Sequence, residues 1–261
     1  MARGSLIVVG TGIRLAQQCT PEARDAIEAA DVVFAVVPDP IAEHWLGTLN
    51  ANIVSLQPLY GGDRTRTETY EAMTDAILDG VRAAKRVCAV FYGHPGVFVT
   101  PSHEAVRRAR AEGFDAHLLP GISAEDCLYA DLGVDPGRLG CQSYEATDFI
   151  VNARKIDTTA VLIIWQIAVA GELTLRVLAP DARRLAVLVK VLLEDYPPHH
   201  VVIVYEAATL PITEAKIQAL PLRELHTATV SQLSTLYIPP LSRPQPSPRR
   251  LALLKDMRAA T

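Results

Sequence analysis

Short β-branched apolar runs, each closed by a glycine or proline turn and separated from the next by a helical pattern, constrain this chain most strongly. Ser5 to Val9 is such a run and ends in Gly10-Thr11-Gly12, a strand followed by a tight turn. Thr20-Pro21-Glu22 then reads as a helix start, with a hydroxyl N-cap, proline at N1 and an acid in the first turn. That helix is expected to run through Ala30, with a second buried strand over Val32 to Val37. Tyr70, Met73, Ile77 and Val81 are apolar at helical spacing within Thr67 to Ala84, and Val87 to Tyr92 returns as a strand. His103 to Glu112 reads as a helix and Asp115 to Leu118 as a short strand. Strands buried on both faces and joined by helices predict a mostly parallel, doubly wound sheet.

After about residue 137 the rhythm changes. Asp135-Pro136-Gly137 is a turn signal, and strand-like runs follow over Cys141 to Glu145, Thr159 to Ile164, His200 to Tyr205 and Thr229 to Ile238, with a helix within Ala179 to Leu193. This pattern predicts a second α/β domain on a mixed sheet. The expected division is therefore an N-terminal domain over 1–137, a C-terminal domain over 138–240 and a tail over 241–261. Pro239 to Pro248 carries five prolines and is expected to be extended or poorly ordered. Arg249 to Ala260 is basic and amphipathic in pattern, a short docking helix or, favoured on general grounds, a frayed terminus.

The chain's 261 residues can bury a sizeable core. A net charge of −4 with 21% charged residues points neither to disorder nor to a nucleic-acid footprint. Cys19, Cys88, Cys127 and Cys141 form no CxxC pair, which argues against a disulfide framework or a zinc site. The start of the chain is too brief for a secretory signal, and the apolar stretch from Ala160 to Gly171 is about half the ~20 residues a membrane span requires. A cytoplasmic chain with no metal, nucleic-acid or membrane partner is expected.

Chemistry has three places to sit. Gly10-x-Gly12 invites a dinucleotide reading, but the third glycine of that fingerprint would fall at position 15, where Leu15 stands. A glycine turn at a strand end explains it equally well. Tyr92-Gly93-His94-Pro95-Gly96-Val97-Phe98 follows a buried strand; its glycines allow close backbone approach and its rings suit a nucleoside or a sulfonium cation. Pro120-Gly121-Ile122-Ser123-Ala124-Glu125-Asp126 follows the next strand, with Ser123 a good N-cap and Asp126 at N3. Both turns fall at carboxyl ends of strands, where open α/β sheets bind ligands. Separately, Tyr60-Gly-Gly-Asp63-Arg64-Thr65-Arg66 leads into a helix, and Arg66 and Tyr70 share a face if that helix begins early. An exposed arginine above a half-buried tyrosine is the plainer alternative.

Taken together, Gly10-Thr-Gly12-Ile13, Tyr92-Gly-His94-Pro-Gly-Val97-Phe98-Val, Ser102-His103, Leu119-Pro-Gly-Ile-Ser123-Ala124-Glu-Asp126, Tyr144-Glu-Ala-Thr-Asp148-Phe, Trp165-Gln166-Ile167 and Ser234-Thr235-Leu-Tyr237 resemble the tetrapyrrole methylase superfamily. Within it the chain is most similar to the borosin peptide backbone α-N-methyltransferases. The resemblance implies a two-domain tetrapyrrole methylase-like fold that binds S-adenosylmethionine between its domains, commonly as a homodimer, here a heterotetramer with two peptides. It carries cofactor contacts onto Gly10, Gly12, Tyr92, His94, Val97, Phe98, Ser123, Ala124 and Gln166, and onto Ser234 and Thr235 across a looser alignment. It carries the surroundings of the reacting amide onto Tyr60, Arg66 and Tyr70; a further family tyrosine falls on Gln57. Fungal members continue into a core peptide that they methylate on themselves, and no repetitive Val/Ile/Gly-rich tail is present here, so a separate precursor peptide is the expected substrate. Methylation of a tetrapyrrole or other small molecule, and a silent cofactor-binding protein, are the competing expectations.

Overall fold

The structure is a computed structural model that describes residues 4–37, 39–60, 64–173 and 179–259. Gly61, Gly62 and Asp63 of the glycine loop lie outside the described residues. The chain divides into two compact units. The first holds 4–134 and 206–216, the second 135–173, 179–205 and 217–259, among the described residues.

In the first unit the strands are β1 (Ser5–Gly10), β2 (Val32–Val36), β3 (Ile53–Ser55), β4 (Arg86–Phe91) and β5 (Asp115–Leu118). The helices are α1 (Pro21–Ala29), α2 (Pro40–Leu49), α3 (Arg66–Arg82), α4 (Thr100–Ala111) and α5 (Ala124–Leu132). The strands form one sheet in the order β3-β2-β4-β1-β5, and every pairing is parallel. Side chains alternate faces along a strand, so the sheet buries two cores. Val9, Val33, Ala35 and Val90 pack with Ala23 and Ile27 of α1 and Ala42 and Leu46 of α2. Leu6, Val8, Phe34 and Ala89 pack on the other side with Met73 and Ile77 of α3 and Ala105 and Ala109 of α4.

This arrangement creates a switch point. β1 and β4 are neighbours, yet the chain leaves β1 toward α1 on one face and leaves β4 toward α4 on the other. The two loops diverge and open a crevice at the carboxyl ends of the strands, the usual ligand position in such sheets.

The second unit contains α6 (Pro136–Leu139), β6 (Cys141–Glu145), α7 (Ala146–Val151), β7 (Val161–Trp165), α8 (Ala182–Leu192), β8 (Val201–Glu206), β9 (Lys216–Pro221), β10 (Thr235–Ile238) and α9 (Pro248–Ala259). Its sheet runs β6-β7-β10-β8-β9 and is mixed: β6 and β7 are parallel, and β10 is antiparallel to both β7 and β8. Phe149, Leu185, Leu188 and Leu192 cover Leu162, Ile164, Val204 and Leu236 on one face. No helix among the described residues is long and apolar enough to cross a membrane.

Three expectations need correction. The strand expected from Thr229 begins only at Thr235, because Ser231 to Ser234 closes a turn in which the Ser234 N–H donates to the Ser231 carbonyl at 3.0 Å. The segment after Pro248 is a helix, not a frayed end. It is also not amphipathic: Leu251, Leu253 and Leu254 are all exposed, and at 100° per residue Leu253 points away from the direction of Leu251.

Candidate active site

At the carboxyl edge of the first sheet the turns after β1 and β4 are joined by backbone hydrogen bonds, and the turn after β5 packs against the latter. Gly12 and Gly93 form a bridge, with N–H to carbonyl distances of 3.2 and 3.0 Å. A Cβ on Gly10 would lie 2.0 Å from the Gly93 carbonyl oxygen, and one on Gly12 would lie 2.4 Å from the Gln18 side chain. Both glycines are therefore required by packing. A Cβ on Gly121 would press on Pro95 at 3.1 Å, so the turn after β5 sits against the turn after β4. From below, Ser102 donates to the Pro95 carbonyl, and His103 Nε2 meets the Gly96 carbonyl at 2.9 Å. His94 Nδ1 accepts from the Gly96 N–H at 2.9 Å. Ser102 and His103 hold this turn, a role the sequence reading did not assign them.

Not every residue in these turns is explained by packing. Phe98 is held at φ 55°, in the left-handed region, with 48% of its surface exposed. A bulky side chain in that region costs free energy, and such strain gathers where function imposes it. Val97 beside it is 38% exposed. Tyr92 is half-buried at the crevice, and its hydroxyl is pushed well above the usual tyrosine range by burial, then by the nearby Cys127 thiol and Asp39 carboxylate. Ser123 is spent on its helix: its hydroxyl and N–H both donate to Asp126 at 2.7 Å, and Asp126 N–H donates back, the capping box of α5. Ala124 is the first residue of that helix.

In the second unit Gln166 follows β7 at φ 58°, ψ 36°, also in the left-handed region, which Ala16, Ala84 and Ala153 occupy as well among the described non-glycine residues. Ser234 and Thr235 are buried, and the Ser234 hydroxyl accepts from the Ser231 N–H at 2.8 Å. Tyr144, from the motif string quoted above, lies under Arg154, whose guanidinium carbon is 5.5 Å from the ring centre and whose partner is Asp148 at 2.7 Å. That cluster is internally satisfied.

A second constellation stands on α3. The helix begins at Arg66 because Thr65 and Glu68 form a capping box: Thr65 Oγ1 accepts from the Glu68 N–H at 3.2 Å and Glu68 accepts from the Thr65 N–H at 2.6 Å. The Thr65-x-x-Glu68 spacing was the signal for this earlier start. Arg66 and Tyr70 consequently lie one turn apart and line the same groove. Arg66 occupies the first helical position, where a cation opposes the helix dipole at a typical cost of ~0.3–1 kcal/mol. Helix stability does not select it.

Tyr60 is brought to the same place by the 3-10 turn Gln57–Tyr60. Gln57 Nε2 donates to the Val37 carbonyl after β2, and Thr69 Oγ1 of α3 donates to the Leu59 carbonyl at 3.3 Å. Gln57 therefore anchors the turn that carries Tyr60. Tyr60 is 45% exposed and lies close enough to Tyr70 and Arg66 to feel both charges. Burial, most of all, and Tyr70's charge raise its pKa to about 12, with Arg66 pulling the other way. All three residues expected around a reacting amide are thus assembled within the first unit.

A tetrapyrrole (corrin/porphyrin) methylase model matches residues 5–226. The chain belongs to that family. Among solved structures, this chain resembles uroporphyrin-III-C-methyltransferase from Thermus thermophilus with a TM-score of 0.65 at 19% identity, over 91% of this chain and 93% of that one. Diphthine synthase gives a TM-score of 0.64 at 16% identity, over 92% and 91%. These likenesses establish the fold. Sequence relatives are nearer. The methyltransferase/ribosomally synthesized cyclic peptide dendrothelin A precursor of Dendrothele bispora is 42% identical over 92% of this chain and 58% of the relative. The omphalotin A precursor of Omphalotus olearius is also 42% identical, over 92% and 58%. A type I borosin cyclic peptide precursor of Coprinopsis marcescibilis is 41% identical over 91% and 62%. The chain spans about three fifths of the length of these relatives.

Proposed function

We propose that this family member uses S-adenosylmethionine to methylate backbone amide nitrogens of a peptide supplied as a separate chain. The observation that carries this reading is Arg66 and Tyr70, one helical turn apart in the wall of one groove, with Tyr60 close enough to interact electrostatically with both. The relatives' names, which couple a methyltransferase to a ribosomally made peptide precursor, support the peptide as substrate class.

An amide nitrogen is a poor nucleophile because its lone pair is delocalised into the carbonyl. As its proton leaves, negative charge gathers on the carbonyl oxygen. Arg66 keeps its charge and offers a directional fork to that oxygen, and loss of such a donor typically costs ~3–4 kcal/mol of barrier. Tyr60, with its pKa raised to about 12, holds its proton and orients the peptide as a hydrogen-bond donor. Tyr70 takes the amide proton, directly or as a relay.

The cofactor would be held by Gly10, Gly12, Tyr92, His94, Val97, Phe98, Ser123 and Ala124 in the first unit, with Gln166, Ser234 and Thr235 assigned from the second. Phe98 is the residue that fits this group best on structural grounds, since its strained backbone presents an exposed ring next to the β1/β4 crevice and aromatic faces attract a sulfonium cation. Gly10, Gly12 and Ser123 offer backbone atoms only. When bound, S-adenosylmethionine supplies an electrophilic methyl group.

Tandem mass spectrometry of Val/Ile/Gly peptides incubated with the protein and S-adenosylmethionine tests this. Mass increments of one methyl located on backbone nitrogens are expected, with the protein's own mass unchanged. Methylated tetrapyrrole with untouched peptide would favour the small-molecule alternative, and no product on either would leave a binding protein.

A further inference from the structure

We propose that the groove between α3 and α4 is the substrate subsite that holds about four extended residues on one side of the reacting amide. This rests on the peptide reading above. The groove encloses about 570 Å³. Arg66, Tyr70 and Thr74 line it from α3, and Thr100, Glu104 and Arg108 from α4, each set at four-residue spacing along one helix face.

Direction follows from topology. α3 and α4 each leave the carboxyl end of a parallel strand, so their N-termini lie together. Arg66, Tyr70 and Thr100 therefore form the mouth at the sheet's carboxyl edge. At the far end Arg108 pairs with Asp75 at 2.8 Å and closes the trough. The nine helical steps from Arg66 to Asp75 span ~14 Å at 1.5 Å each. An extended peptide advances ~3.3 Å per residue, so the trough accommodates about four residues beyond the amide at its mouth.

The wall chemistry suits an extended chain. Such a segment carries an unpaired N–H and C=O at every residue. Glu71 and the Thr100 hydroxyl provide polar partners, with Glu104 already held by Arg107 through both its oxygens, while threonine methyls and glutamate methylenes contact the intervening side chains. Glu71 has no hydrogen bond or ion pair among the described residues. Its carboxylate is available to a ligand.

Synthetic Val/Ile/Gly peptides extended stepwise on either side of one methylatable residue test the subsite. With the wild-type protein, kcat/KM is expected to rise with each added residue on one side, level off after about four, and not respond to extension on the other. In Glu71→Trp, which fills the trough from an exposed helix position, the long-to-short ratio of kcat/KM should fall about tenfold, equivalent to ~1.4 kcal/mol. A rate independent of length on both sides, or an unchanged ratio in a folded Glu71→Trp, overturns the subsite while leaving peptide methylation standing. Should Glu71→Trp fail to fold, the wild-type length series decides alone. If the wild-type protein methylates no peptide at all, the function proposed above fails first and the subsite with it.

Discussion

Tyr60, at the end of a 3-10 turn, and Tyr70, one turn into α3, interact electrostatically so that Tyr70 raises the Tyr60 pKa, while Arg66 acts on the same hydroxyl with the opposite sign. Burial raises the Tyr60 pKa most, Tyr70 raises it further, and Arg66 lowers it. Tyr70→Phe should therefore move the Tyr60 titration down from about 12 toward 10, and Arg66→Ala should move it up. Ultraviolet difference titration against Tyr60→Phe reads both. A raised pKa means the folded protein holds this proton more tightly, so the associated stability is present below pH ~10 and is lost as pH rises toward 12. Shifts of the same sign in both variants would show that the three side chains do not interact as described.

Phe98 separates backbone strain from ligand contact. At φ 55° alanine is strained and glycine is not. Phe98→Gly should be more stable than Phe98→Ala by about 1 kcal/mol in urea unfolding. Calorimetry should find S-adenosylmethionine binding weakened in both, because the ring is gone. Unchanged affinity would remove Phe98 from the cofactor site.

The glycines divide by what surrounds them. Gly10→Ala places a methyl 2.0 Å from the Gly93 oxygen, and a loss of about 3 kcal/mol or more is expected as the turns separate. Gly47 sits exposed within α2, with nothing within 4 Å of an added Cβ. Gly47→Ala should raise stability by roughly 0.5–1 kcal/mol. Thermal melts that failed to separate the two would contradict the packing of the turns after β1 and β4.

Ser123→Ala removes the hydroxyl from the α5 capping box, and a cost of about 1 kcal/mol is expected in chemical unfolding. If cofactor affinity holds while stability falls, Ser123 is confined to shaping the turn and its assigned cofactor contact is made by backbone alone.

What was legible in the sequence follows from burial. β1, β2 and β4 are covered on both faces, so Val8, Val9, Val33 and Val90 stand in nearly continuous apolar runs and could be read directly. The edge strands could not. β3 is three residues long with Val54 42% exposed, and β9 is mostly exposed along Lys216–Pro221, so neither shows periodicity. α2 was missed although Asp39 caps it through the Ile41 and Ala42 N–H groups and Pro40 opens it. There the capping signal was present and went unread. In the site, i, i+4 spacing placed Arg66 and Tyr70 on one helix face, whereas the links that hold the Tyr60 turn run through Thr69 to a backbone carbonyl and through Gln57 to Val37. Such contacts join positions ten and twenty residues apart and leave no local pattern.

Single-turnover methylation of a bound peptide by Arg66→Ala bears most directly on the role given to the Arg66–Tyr70–Tyr60 cluster. A rate loss of about two orders of magnitude, corresponding to ~3 kcal/mol of lost oxyanion stabilisation, is expected with S-adenosylmethionine affinity unchanged by calorimetry. A wild-type rate in that variant would contradict it.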